Sequence, residues 1–419
     1  MGGAAKRKRC EELTGELDRQ VGTLNRAFLQ WVKGNQASSP LALMDEGCKD
    51  YAALLQQLRG KLAVEGDALA CGTGDCGQLG FGVEGGDADM FVNRPRAIEA
   101  LKGVSVSAVA CGGMHNAVAC GEDGRVLTWG CADDNALGRE GDENFPAPVR
   151  FPSRCVVAQL SAGDVHTAAL SLRGEVFVWG AYKDKDGKNW MLGGASAADC
   201  FGRSQPSPLL VEAVSDARAH GGVTQIASGA SHTLALCGDG TVFSWGVGES
   251  GQLGRKVGEL KDAQGVYQKE RVLREHLSPQ PMRLAESGQA AGSARFVATG
   301  HYSSFVIQAM RSRCFACGLN NYGQLALDNA KGSVVHELTS VPALDQVGVA
   351  QMHGGEHHTL AVSHAGHVYA FGRADSNQLG VKFSAPGSSD AGAFTFEPQR
   401  VTGFAVPVES VFCGSFHCE

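Results

Sequence analysis

The sequence predicts an all-β propeller preceded by an α-helical arm. Two observations carry the propeller: a phrase that recurs along the chain, and the short alternating run that closes each copy. The phrase reads CGGMHNAVACGEDGRVLTWG at 111–130, SAGDVHTAALSLRGEVFVWG at 161–180, SGASHTLALCGDGTVFSWG at 228–246 and HGGEHHTLAVSHAGHVYAFG at 353–372. A third observation carries the arm: near the N-terminus, apolar residues recur at three- and four-residue spacing, one face of a helix.

From the N-terminus, residues 1–12 form a basic tail whose KRKR run, Lys6, Arg7, Lys8 and Arg9, suits nuclear localisation, a phosphate contact or a solvated tail. Residues 13–64 read as a helical hairpin. Leu13, Leu17, Val21, Leu24, Phe28 and Val32 line one helix, and Tyr51, Leu54, Leu55, Leu58 and Leu62 line a second after the proline-containing link NQASSPLALMDEG.

Residues 65–419 hold the repeats. Each copy opens with a glycine turn and a histidine, runs through small apolar residues, turns again, and ends in WG or FG. A loop with Gln-Leu-Gly or Ala-Leu-Gly follows: DCGQLGFG at 75–82, DDNALGRE at 133–140, ESGQLGRK at 249–256, NYGQLALD at 321–328 and SNQLGVKF at 376–383. Short alternating runs bounded by glycine turns are half-buried antiparallel strands. A period of roughly 50–70 residues is too long for helical solenoids and fits blades of four short strands. WD-type blades end in Trp-Asp and Kelch-type blades carry an internal Gly-Gly doublet; neither pattern is present.

Composition narrows the function. A net charge of −7 argues against binding nucleic acid through a bulk positive field. The N-terminus MGGAAKRKRC lacks an apolar signal core, and no apolar run is long enough to span a membrane. The 14 cysteines are scattered through apolar stretches, as reduced thiols of a cytosolic or nuclear protein are. The Cys314–Cys317 pair has no second pair at zinc-site spacing, and HGGEHH lacks the HExxH spacing, so no metal is expected. GTGDCG at 72–77 and GVGESG at 246–251 match a dinucleotide fingerprint, but a QLG loop follows each where a helix is needed. No cofactor is expected.

The tryptophan-glycine ending, the GxH turn and the QLG loop, recurring in fixed order from about Asp67 to the C-terminus, resemble the regulator of chromosome condensation family. The resemblance implies a seven-bladed β-propeller. VFCGSFHCE at 411–419 reaches Gly414 and His417, the opening turn of another blade, so the last blade reads as truncated. The family's founding member is an exchange factor for the small GTPase Ran, and the resemblance implies the same activity here, without covalent chemistry. The ultraviolet-receptor branch depends on clustered tryptophans, whereas the five here are dispersed.

Site residues follow from the same resemblance. AYKDKDGKNWMLGG, after the WG at 180, is similar to the wedge loop that the Ran exchange factor pushes into its GTPase: Tyr182, Lys183, Asp184, Lys185, Asp186, Gly187 and Lys188. Asp164 resembles the family's essential acidic turn residue, and His358, with His357 beside it, its essential histidine. His115 and His166 match interface-side turn histidines, with hydrogen bonding inside the blade turn as their other reading. Arg255 in QLGRK matches a contact arginine. Ser231 in ASGASH stands where the family's ASGNDH has an Asp that contacts Ran.

The string LNxxFxxWV with SPLALMDEGCKDY resembles a motif of the nuclear-basket nucleoporin that associates with importin-α. Expected partners are therefore Ran, histones or the nucleosome, and importin-α or pore components through residues 13–64, in the nucleus and away from membranes. Lys269, Arg271 and Arg274 are candidate chromatin contacts. The alternative is a non-exchanging propeller scaffold for chromatin or other nuclear partners.

Overall fold

The computed structural model describes residues 68–82, 91–121, 124–153, 155–193, 197–215, 220–291, 293–308, 313–328, 332–381 and 393–414. The basic tail with Lys6, Arg7, Lys8 and Arg9, the helical arm and the turn ending on His417 lie outside the described residues.

The described residues open with a two-stranded sheet, β1 (Leu69–Thr73) and β2 (Phe91–Ala97). Five sheets follow, each an antiparallel meander of four strands. The first is β3 (Val106–Cys111), β4 (His115–Cys120), β5 (Val126–Gly130) and β6 (Ala147–Pro148). The second is β7 (Val157–Ala162), β8 (His166–Ser171) and β9 (Val176–Gly180), then a small hairpin of β10 (Tyr182–Lys183) and β11 (Asn189–Trp190), then the outer strand β12 (Gln205–Leu210). The third is β13 (Val223–Ser228), β14 (His232–Cys237), β15 (Val242–Gly246) and β16 (Gln280–Pro281). The fourth is β17 (Ala294–Thr299), β18 (Ser303–Gln308), β19 (Cys314–Leu319) and β20 (Val334–Ser340). The fifth is β21 (Val349–Gly354), β22 (His358–Ser363), β23 (Val368–Arg373) and β24 (Phe394–Arg400). These are propeller blades, as the recurring phrase predicts, but β8, β9, β14, β15 and β22 are buried throughout rather than half-buried.

Blades touch face to face, so their second strands are covered on both sides. Every residue of β8 (HTAALS), β14 (HTLALC) and β22 (HTLAVS) is buried. Strands buried on both faces cannot alternate apolar with polar, which accounts for the near-continuous run of small and branched residues after each turn histidine.

Three devices join one blade to the next. Gln159 donates its Nε2 to the Ile226 carbonyl at 2.9 Å and accepts the Ile226 N–H at 3.0 Å. Gln225 makes the same pair with Val297 (2.9 and 3.0 Å), and Gln351 with Val411 (3.2 and 2.9 Å). The turn histidines reach across as well: His115 Nε2 lies 2.8 Å from Thr167 Oγ1, His166 Nε2 lies 3.1 Å from Thr233 Oγ1, and His232 Nε2 lies 2.8 Å from Ser304 Oγ.

The third device explains the paired tryptophan and QLG motifs. Trp129 donates its indole N–H to the Gln78 carbonyl (3.0 Å), and Trp179 donates to the Ala136 carbonyl (2.9 Å). Each Gly of the preceding loop lets the ring close in: a Cβ on Gly138, at φ +64°, would stand 2.6 Å from the Trp179 ring. Cys314 and Cys317 both lie on β19, an odd number of residues apart, and therefore on opposite faces of the strand. Burial pushes the Cys314 thiol up to about 12. Neither of the two GxGxxG strings leads into a helix; each follows a strand and enters a turn.

Candidate functional site: an axial turn cluster and an inserted hairpin

The GxH turns converge through their backbones. Asp164 N–H donates to the Ala230 carbonyl (3.0 Å), Ala230 N–H to the His301 carbonyl (3.0 Å), and His301 N–H to the Gly355 carbonyl (3.0 Å). Residues at the second turn position thus follow one another around the axis: Gly113, Asp164, Ala230, His301 and Glu356. Asp164 is half-buried, and its carboxylate takes no hydrogen bond or ion pair among the described residues.

The next turn position adds Tyr302 and His357. Burial raises the Tyr302 hydroxyl, and the charges of Asp164 and Glu356 push it further up, which places both carboxylates in its field. His357 stands 3.6 Å from the Glu356 carboxylate and stacks at a tilt on Tyr322, ring centres 5.0 Å apart. Burial lowers its pKa, with Glu356 opposing.

Several sequence expectations need correction. His115, His166 and His358 are 2%, 1% and 1% exposed, and Arg255 is 4% exposed, so each is turned inward rather than presented at the surface. His115 and His166 are the interblade bonders described above. His358 occupies the corresponding place: a Cβ on Gly355 would stand 2.4 Å from its ring, as one on Gly163 would stand 2.2 Å from His166. Of the histidine pair, His357 is the one within reach of a partner.

Arg255 turns inward for a structural reason. Its guanidinium donates to the Glu275 and Ser244 carbonyls, holding the inserted segment after β15 against the blade. Ser231 is buried too; its Oγ accepts the Lys183 N–H at 3.2 Å, so it anchors the root of the β10–β11 hairpin.

That hairpin replaces a QLG loop. Where the other loops offer a carbonyl to the next tryptophan, here Trp245 donates its indole N–H to Tyr182 Oη at 2.8 Å. Tyr182 is accordingly buried, packed 4.5 Å from the His166 ring, and belongs to the core rather than to a protruding wedge. Asp184 is buried as well. Its Oδ1 accepts the Asp186 and Lys188 N–H groups (3.0 and 2.9 Å) and its Oδ2 accepts the Trp190 indole N–H (3.1 Å), which closes the turn.

The exposed tip is Lys185, Asp186, Gly187 and Lys188, with Gly187 at φ +76°. Lys183 pairs with Asp134 at 2.6 Å, and Lys185 with Glu249 at 3.4 Å. Because His166 pairs with Gly180 in the β8–β9 register, hairpin and axial turns sit at the same end of the blade. Asp184→Ala is expected to destabilise the protein by about 2–3 kcal/mol, since three hydrogen bonds vanish and their donors are left unpaired. Urea unfolding of the two proteins side by side measures it.

His301, Tyr302 and Glu356 were not recognised from the sequence as members of the cluster. The turn TGHYSS at 299–304 carries Ser303 where the other copies carry histidine, which hides it as a repeat. Reading that position by its flanking strands was the signal that could have found it. Of the candidate chromatin contacts, Arg271 is taken by Glu275 (3.0 Å) and Lys269 lies over the Phe201 ring; Arg274 is exposed.

Blades joined through backbone, an axial end lined by unpaired carboxylate, histidine and tyrosine, and a braced hairpin beside it define a propeller built for protein recognition. The chain belongs to the RCC1-like family: residues 67–418 match the RCC1-like domain. It is 34% identical to the regulator of chromosome condensation of Xenopus laevis, over 78% of this chain and 72% of that one. It is 29% identical to the guanine nucleotide exchange factor SRM1 of Saccharomyces cerevisiae, over 84% of this chain and 74% of that one. Among solved structures, Prp20p from Saccharomyces cerevisiae, described with its binding to Gsp1p and histones, superposes with a TM-score of 0.70 at 28% identity, covering 83% of this chain and 77% of that one. Yeast RCC1 (Prp20) bound to Kap60 matches with the same TM-score of 0.70 and covers 83% of this chain and 75% of its own. Among the described residues no helix is long and apolar enough to cross a membrane.

Proposed function

We propose that this chain is a guanine-nucleotide exchange factor for the small GTPase Ran, acting in the nucleus in a chromatin-linked role. The observation that carries the reading is the ordered hairpin with its exposed Lys185–Lys188 tip, set at the same end of the fold as the Asp164 carboxylate, which is unpaired among the described residues. Membership of a family that includes a named exchange factor supports it.

A small GTPase holds its nucleotide through a phosphate loop, a lysine and Mg²⁺. An exchange factor forms and breaks no covalent bond; it binds the nucleotide-free state more tightly than the loaded states. The hairpin tip displaces the elements that support phosphate and metal. Asp164, and His357 beside Glu356, then offer the freed lysine or backbone N–H groups another partner. Nucleotide and exchange factor weaken one another equally, so the direction of exchange follows the GTP/GDP ratio. Histones, and import receptors or pore components met through residues 13–64, are the further partners of this reading.

The test is release of fluorescent GDP from purified Ran. Substoichiometric amounts of the full chain should accelerate release, each molecule acting on many GTPases. No acceleration by folded protein overturns the reading and assigns the chain to the scaffold class.

A further inference from the structure

The hairpin tip does not stand free. After β15 the chain makes an excursion of its own, residues 256–279, before β16. Within it Lys261 and Tyr267 face each other across an antiparallel bridge, closed by Asp262, whose Oδ1 accepts the Gln264 and Val266 N–H groups at 3.0 and 2.8 Å. This miniature hairpin delivers two side chains to one carboxylate. Tyr267 donates its hydroxyl to Asp186 Oδ2 at 3.0 Å, and Lys261 Nζ pairs with the same oxygen.

The clamp is backed by packing. Lys261 Nζ lies 4.7 Å above the Tyr267 ring. That ring meets Trp190 of β11 and Phe201, with centroids 5.7 and 5.0 Å away. The other flank of the tip is held by Glu249, which accepts the Lys185 N–H at 2.8 Å as well as pairing with its ammonium. A protruding hairpin with a glycine at its tip is ordinarily mobile; this one is fixed from two sides by side chains 64 and 81 residues away in sequence.

We propose that the 256–279 excursion is a brace for the exchange hairpin, with Tyr267 and Lys261 as positioning residues that pre-order the tip through Asp186. The inference rests on the exchange reading. A pre-ordered tip enters the GTPase without first losing conformational freedom, so the brace speeds displacement of nucleotide.

Tyr267→Phe removes one hydroxyl and keeps the ring packing; Lys261→Met removes the charge and keeps the stem. In the full chain each variant should leave the thermal midpoint near the parent's and speed amide hydrogen exchange at residues 184–188. Each should slow GDP release from Ran by about five- to tenfold, the size of one net hydrogen bond at an exposed site. Asp186→Asn, which still accepts from Tyr267, should retain more activity than Asp186→Ala.

Unchanged hairpin protection in both variants overturns the brace. Faster hairpin exchange with parental GDP release overturns its role in the activity. A parent chain that fails to release GDP at all sinks the exchange reading and this role together, while hydrogen exchange still decides the clamp itself.

Discussion

Asp164→Ala is expected to slow GDP release from Ran by about a hundredfold, the loss of one carboxylate that meets a positive or N–H-rich partner in a desolvated interface. Its backbone does the structural work of the turn: the N–H bonds Ala230 and the carbonyl receives the Gly113 N–H. The carboxylate does none, since nothing within the described protein bonds it. Removing it therefore separates recognition from folding. The alanine variant should melt with the parent and lose exchange; activity within twofold of the parent would show that the axial carboxylate is not part of the interface.

Acid should destabilise the propeller steeply. Burial pushes His115 down to about 4 and His166 and His232 down to about 3, with neighbouring histidines adding to the shift for the latter two. The geometry shows why. Ser304 donates its hydroxyl to the Gln252 carbonyl at 2.7 Å, so it accepts from His232 Nε2–H, and among the described residues His232 Nδ1 has no partner. The Nδ1 of His166 likewise has no partner among the described residues. A second ring proton at either site would point at glycine backbone with no acceptor.

The sign follows. A histidine depressed in the folded state is protonated first in the unfolded chain, at about pH 6.5. Stability is complete above that pH and is lost as pH falls, until the folded-state values are reached. Each histidine contributes about 1.4 kcal/mol per pH unit in that window, so each removes about 2 kcal/mol between pH 7 and pH 5. Urea unfolding at the two pH values measures the drop. His166→Gln, which cannot titrate, should show a shallower drop, and an equal drop in both proteins would rule out this histidine as its source.

The blades were legible because each repeat is both local and complete. A histidine turn, a doubly buried strand and a tryptophan that seeks the preceding loop's carbonyl leave short-range patterns, and these repeat in register. The site was legible only in part. The hairpin stood out because it interrupts the repeat, and Asp164 because its turn resembles the family's acidic one; their part in exchange is the proposal made above. The inward turn of Tyr182, Arg255 and His358 was not readable, because it depends on which acceptor the adjacent blade presents. Tyr182 is the plainest instance: in sequence it opens a charged excursion, yet in space it stands in for a missing QLG carbonyl. The brace was hidden for a different reason. Lys261 and Tyr267 sit in an insertion without periodicity, and only the fold brings them to Asp186.

The glutamine clasps carry a consequence for how such a ring changes over time. Gln159, Gln225 and Gln351 grip peptide groups, which every residue type supplies in the same form. The side chains of Ile226, Val297 and Val411 are not consulted in that grip, nor are the residues at the axial turns. Substitutions at those turns can therefore redirect the propeller from one protein surface to another while adjacent blades stay locked at the same angle, so a new binding specificity can arise without a new assembly problem.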